Sequence, residues 1–194
     1  LGFGRLCREV ATERDLFNCH GTFFELPAEN AGGFSLIRPV STHNLQINDY
    51  CSYRGLLVLS GINIDEGTDN RHIIRSDDGK AALWVGAIDD LWALGKPVGV
   101  GGPWLKTETE AGKYSDPYLM TGYEKKTLEL SSSLSTRIIA EVDVSGMGDW
   151  QEYKTFQVKK GQKVDYEFPS AFQAYWIRFK TNADTTATAQ LTYR

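Results

Sequence analysis

Arg137-Ile138-Ile139-Ala140-Glu141-Val142-Asp143-Val144 and, further on, Tyr175-Trp176-Ile177-Arg178-Phe179-Lys180 carry the periodicity that decides the fold. Apolar and polar side chains alternate in both, and successive side chains of a strand point to opposite faces. Tyr175, Ile177 and Phe179 therefore share one face, and Trp176 and Arg178 the other. The same period runs through Tyr153 to Val158, through Val164, Tyr166 and Phe168, and through Thr186 to Tyr193, where Ala187, Ala189, Leu191 and Tyr193 fall on one side. Ser145-Gly146-Met147-Gly148 and Lys160-Gly161 turn the chain between these runs. Short strands at this spacing predict an antiparallel β-sandwich.

Upstream the pattern is looser. Thr22 to Leu26 reads as a strand stopped by Pro27, and Phe34 to Arg38 as another stopped by Pro39. The unbroken apolar run Gly55 to Ser60 predicts a strand buried on both faces. His72 to Ser76 and Ala82 to Gly86 flank Asp77-Asp78-Gly79-Lys80, and Asp-Gly between apolar runs signals a hairpin. Ile88 to Leu94 is a short helix candidate, with Asp89 as its cap and Gly95 as its end. The Gly- and Pro-rich stretch 96–103 reads as a loop, and 104–116 as polar and turn-like. Tyr118 to Thr121 and Thr127 to Leu130 read as strands around Gly122. The expectation is an all-β, antiparallel chain of two modules. Residues 1–130 would form a β-rich part, propeller-like or a partial barrel, and 131–194 the sandwich.

Composition agrees. The 194 residues hold five Trp, nine Tyr, nine Phe and 19 Gly, a mix that suits strands joined by glycine turns. A hydrophobic share of 41% and a charged share of 24% are those of an ordinary globular chain and exclude a disordered or collagen-like one. The net charge of −4, with no long Lys/Arg run, argues against a nucleic-acid partner. Lys125-Lys126 and Lys159-Lys160 read as solvated turn edges. No apolar run has the ~18 residues of a membrane span, and no signal peptide is visible. A chain beginning at Leu1 reads as a piece of something longer, with an upstream domain of a parent protein as a partner.

Cys7, Cys19 and Cys51 are an odd set, consistent with one disulfide plus a thiol or with three buried thiols. Their spacing fits no zinc template, and no metal site is expected from them or from His20, His43 and His72. Asn63 to Asn70 offers oxygen ligands of the kind Ca2+ takes, without EF-hand spacing. No cofactor is expected.

Two resemblances follow from these residues. Gly148-Asp149-Trp150-x-x-Tyr153, then Phe156, Gly161 and Trp176-x-Arg178, resembles a galactose-binding-like (discoidin-type) accessory β-sandwich. Asn18 to Phe23, Gly55 to Gly61 and Ser115 to Tyr123 resemble the C-terminal part of uncharacterised bacterial proteins that join a propeller-like β region to such a sandwich. Ser76-Asp77-Asp78-Gly79-x4-Trp84 is similar to the Asp-box hairpin of sialidase-like propellers, but Asp78 and Gly79 are adjacent and no Thr precedes the aromatic. That hairpin is a structural turn, so it implies architecture and not chemistry.

The candidate site residues follow from the chemistry of sugars. A pyranose ring stacks its C–H face on an indole or phenol, and its hydroxyls bond to carboxylates, amides and cations. Trp84, Trp92, Trp104, Tyr114, Tyr118 and Tyr123 supply rings, most of them expected in the core. Trp104, in a Gly-Gly-Pro-Trp loop, and Tyr118 are the expected platform, with Asp116 and Lys106 as polar partners. Arg38, His43, Asp49 and Arg54 form a second, rim-like polar set. Asp77-Asp78 and Asp89-Asp90 fit turn and cap chemistry better than a hydrolytic pair. No catalytic residue is assigned. The expected role is non-catalytic carbohydrate recognition within an extracytoplasmic bacterial protein. The alternatives are a C-terminal fragment of a glycoside hydrolase or polysaccharide lyase, and a structural β-module that packs against a partner domain.

Overall fold

The computed structural model describes residues 5–11, 14–63 and 70–194. The chain is all-β, and it divides into two compact units, Leu1–Pro97 and Val98–Arg194.

In the first unit, β1 (Arg5–Ala11), β2 (Arg14–Cys19), β3 (Thr22–Pro27) and β4 (Arg38–Thr42) form one antiparallel sheet in chain order. β5 (Asp49–Tyr53), β6 (Leu56–Ser60), β7 (Ile73–Arg75) and β8 (Ala82–Gly86) form a second, in the order β5-β6-β8-β7. Among the described residues both sheets are open and neither closes into a barrel, and the second sheet breaks the strand-after-strand order of the first. Leu16 and Phe23 from one sheet share a core with Tyr50, Leu57, Leu59 and Trp84 from the other. The Tyr50 hydroxyl donates to the Leu6 carbonyl at 2.6 Å and ties the two sheets together.

Three local expectations change here. Phe34 to Arg38 is no strand: Gly33–Leu36 is a 3₁₀ turn, and the strand runs through Pro39 as β4. Proline is tolerated there because β4 is an edge strand, with one side needing no N–H. Leu56 stays 43% exposed while Leu57 and Leu59 are buried, so β6 hides one face only. The 3₁₀ helix Ile88–Ala93 is capped by Asp90, whose Oδ2 accepts from the Ala87 N–H at 2.7 Å, in place of Asp89. The hairpin between β7 and β8 forms as expected, with the Ser76 hydroxyl and the Lys80 N–H both donating to Asp78. The cysteines are three free thiols, and Cys7 and Cys51 are exposed, not buried.

The second unit is an eight-stranded sandwich. Its strands are β9 (Gly99–Thr109), β10 (Tyr118–Leu119), β11 (Lys126–Ser132), β12 (Thr136–Asp143), β13 (Trp150–Val158), β14 (Lys163–Glu167), β15 (Trp176–Thr181) and β16 (Thr185–Tyr193). One sheet has the order β10-β15-β12-β13, and the other β14-β11-β16-β9. This is the strand order of a jelly roll. Leu128, Leu130, Ala189 and Leu191 from one sheet meet Ile138, Ala140, Ile177 and Phe179 from the other. Each buried Leu, Ile or Phe among them contributes roughly 1.5–3 kcal/mol of transfer free energy.

The expected boundary at 130/131 falls inside β11, and the units part after Pro97. Residues 98–130 belong to the sandwich because β9 and β11 both pair with β16. Composition hid β9. Gly101 and Gly102, read as loop residues, are sites of close approach: a Cβ on Gly102 would lie 2.0 Å from the Ala189 carbonyl oxygen. Lys126 is not a solvated turn residue either. It is 2% exposed, and its Nζ donates to the Tyr123 and Phe172 carbonyls and to Gln173 Oε1.

Candidate functional site

The outward face of sheet β10-β15-β12-β13 gathers rings and charges. Its rungs follow from register. Asp143 lies between Trp150 and Trp176, Glu141 between Glu152 and Arg178, and Ile139 between Thr155 and Lys180. Arg137 pairs with Gln157, and its carbonyl accepts from the Asn182 N–H at 3.2 Å. From Asp143 to Arg137 the face runs roughly 20 Å at ~3.4 Å per residue.

Arg178 organises the aromatic end. Its guanidinium carbon lies 3.8 Å from the Tyr114 ring centroid and 4.2 Å from that of Trp150. Its Nε and NH2 donate to Glu141 Oε2 at 3.0 and 2.7 Å. The Tyr114 hydroxyl donates to Glu141 Oε1 at 2.7 Å, and Lys180 Nζ donates to the same oxygen at 3.2 Å and to the Tyr114 hydroxyl. Tyr114 reaches this position through a bridge to Lys180. Trp150 is delivered by the turn before it, which Asp143 folds by accepting from the Ser145, Gly146 and Gly148 N–H groups. Gly148 supplies a φ of 93° there, which a residue with a Cβ adopts only under strain.

Burial pushes the Glu141 carboxyl upward, but the donors Tyr114, Arg178 and Lys180 outweigh it and hold the group below its ordinary range. Donation to Tyr114 and Glu141 holds Lys180 above its usual value, against an opposing push from burial. Glu141 is thus fixed as a carboxylate. A general acid for glycoside cleavage needs the opposite, a raised value. The arrangement holds rings in place and presents charge. Tyr114 is 38% exposed, and Trp150 and Trp176 are half-buried.

At its far end the face opens into a groove of about 360 Å³ lined by Ser135, Arg137, Gln157, Lys159 and Asn182, among others. Its walls are tied down. Asn182 Oδ1 accepts from the Thr136 hydroxyl and the Arg137 N–H, both at 2.7 Å, and the Ser135 hydroxyl accepts from the Lys160 N–H at 3.0 Å.

No protein-family model and no curated protein matches the chain. Among solved structures, a glycoside hydrolase family 43 arabinoxylan arabinofuranohydrolase from Bacillus subtilis, in complex with cellotetraose, aligns with 97% of this chain at 8% identity and a TM-score of 0.27. The alignment spans 52% of that enzyme, about half its length. A likeness at that score carries no argument about this chain.

The expected platform is not assembled. Trp104 is 5% exposed and packs 6.0 Å from Phe179 inside the sandwich, so its indole offers no face to a ligand. Tyr118 packs against the same core beside Tyr193, and burial raises its hydroxyl's pKa. Lys106 is exposed on the other sheet, where it lines a groove with Glu129, Thr186 and Thr188. Asp116 is exposed in the segment before β10, whose Ser115 hydroxyl accepts from the Phe179 N–H of β15, the strand next to β10.

The rim set is dispersed too. Arg38 pairs with Glu25 at 2.6 Å, and Asp49 with Arg8 at 3.3 Å. His43 is buried with its Nε2 3.1 Å from Asn18 Oδ1, and burial lowers its pKa. Arg54 sits in the β5–β6 turn over Tyr53, at the opposite end of the hairpin from Asp49. Most of the segment weighed for calcium, 64–69, lies outside the described residues. Among the described residues no cluster of three His, Cys, Asp or Glu could hold a metal ion. No helix among them is long and apolar enough to cross a membrane.

The site that does form was half visible in sequence. Trp150 and Arg178 stood out as a pattern, and Tyr114 among the rings. Glu141 is the residue sequence reasoning missed. Its only signal is an outward position beside two outward cations on another strand, and that pairing needs the register.

Proposed function

We propose that the unit Val98–Arg194 is a non-catalytic carbohydrate-recognition module whose ligand lies along the outward face of sheet β10-β15-β12-β13. The observation that supports this reading is the half-exposed pair Tyr114 and Trp150, clamped around Arg178, continuous with a groove of amide, hydroxyl and cationic groups. Ring faces and edges take the C–H surface of a sugar, and polar groups beyond them take its hydroxyls. Rings already held by a guanidinium lose little rotamer freedom on binding, which limits the ordering cost. Binding is shallow and involves no covalent step.

Calorimetric titration of the chain against neutral and acidic oligosaccharides tests this. Trp150→Ala is expected to weaken binding about tenfold or more while the thermal midpoint stays within a few degrees. Failure of every oligosaccharide to bind, or equal binding by wild type and Trp150→Ala, overturns the proposal.

A further inference from the structure

The groove at the end of the candidate face has a chemistry of its own. Arg137 and Lys159 line it, together with Gln157, Asn182, Ser135 and Thr136. Two cations and no carboxylate stand among the described residues around it, in a chain whose net charge is −4. Its positive character is therefore local. The groove along the outward face of the other sheet is built differently: it has a carboxylate, Glu129, in its wall, bonded to Lys163 at 2.7 Å, so one of its two cations, Lys163 and Lys106, is neutralised in place.

The groove is also preorganised. Asn182 spends its Oδ1 on the Thr136 hydroxyl and the Arg137 N–H, which turns its amide N–H groups away from those partners. The Gly161 and Lys160 N–H groups bond to the Ser132 carbonyl and the Ser135 hydroxyl, and these bonds hold the Lys159–Lys160 turn against the loop before β12. Donors thus outnumber acceptors around a rigid space large enough for a sugar substituent. A planar guanidinium beside an ammonium is the donor set that recognises an oxyanion.

We infer that this groove is an anion subsite of the carbohydrate face, taking the carboxylate or sulfate ester of an acidic glycan whose neighbouring sugar lies toward Tyr114 and Trp150. The inference rests on the carbohydrate reading above and specifies its ligand class. Arg137 and Lys159 supply the charge, and Gln157 and Asn182 the neutral donors.

Titration of the full chain with three oligomers of equal length separates the outcomes: a galacturonate oligomer, its neutral galactose counterpart and a sulfated galactose oligomer. The anionic ligand is expected to bind about tenfold or more tightly than the neutral one at low ionic strength, with the advantage shrinking as salt rises. The double variant Arg137→Gln, Lys159→Gln is expected to abolish the difference between the anionic and the neutral oligomer, both measured on that variant. Preference for the sulfated over the galacturonate oligomer, lost in the same variant, supports the subsite and assigns it to sulfate. Equal affinity for all three, or a preference that survives the double variant, overturns the subsite. If Trp150→Ala still weakens binding in that case, the carbohydrate reading stands without it. No binding by any oligomer overturns both.

Discussion

The two outward faces of the sandwich share a backbone geometry and a core, yet they present different chemistry. On sheet β14-β11-β16-β9 the outward positions are mostly Ser, Thr, Glu and Lys, as in the rung Ser131, Thr188 and Lys163. Lys163 there is engaged by Glu129 and Asp165. On sheet β10-β15-β12-β13 the same outward parity carries Trp150, Trp176, Arg178 and Lys180, joined by Tyr114. One carboxylate, Glu141, there serves two cations, and the groove beyond holds two more. Rings at outward positions and a carboxylate bonded to two cations set this face apart from the other.

The largest effect expected on this comparison comes from moving a ring between faces in thought. Trp104→Ala empties an inward site and should cost about 3–5 kcal/mol of unit stability by denaturant titration. Trp150→Ala, on the outward face, should cost far less and act on glycan affinity instead. A large stability loss in Trp150→Ala with no change in affinity would make the aromatic end a structural clamp.

Lys126 sharpens the contrast between buried and outward cations. Lys126→Ala removes three hydrogen bonds and leaves their acceptors unpaired, with an expected loss of about 2–3 kcal/mol. Burial lowers its pKa in the fold. Between that lowered value and the unfolded value near ~10.4, the folded chain gives up the proton first, so this group makes stability rise with pH. Denaturant midpoints measured across that range should show the slope in wild type and lose it in Lys126→Met. Tyr123, pushed up to about 12 by burial, acts in the opposite sense. Its stabilisation is complete below the unfolded value near ~10 and is lost as pH climbs through the folded one.

Glu141→Gln is the next smaller step, expected to cost about 1–2 kcal/mol near neutral pH as charge-assisted bonds to Arg178 and Lys180 weaken. The folded carboxyl titrates below its unfolded value near ~4.3, so its stabilisation is present above that value and fades as pH falls through the folded one. Acid denaturation should start at lower stability and proceed with a shallower slope in the variant. The smallest effect belongs to Lys106→Ala on the other face, expected within about 0.5 kcal/mol of wild type and without effect on glycan affinity. A loss of affinity there would transfer the site to the second groove.

The strands of the second unit were legible because one face of each is buried, and the burial writes a period of two into the sequence. Ile177 and Phe179 against Trp176 and Arg178 show it plainly, and each falls on the face that the alternation assigns. β9 escaped the same reading. Its glycines answer to the closeness of β16 and of the Tyr118 hydroxyl, a tertiary demand that looks like loop composition in isolation. Trp104 was misplaced for the same reason, since a loop tryptophan suggests a platform and a strand tryptophan suggests a core.

Sequence by itself settled the all-β class, the sandwich texture of the last third and the outward parity of Trp176 and Arg178, because these depend on side-chain alternation within one strand. The unit boundary, the depth of Trp104, the burial of Lys126 and the meeting of Tyr114, Glu141, Trp150 and Arg178 were decided only by tertiary structure. Each depends on which strands become neighbours and in what register, and strand pairing joins residues far apart in the chain through contacts that no local period records.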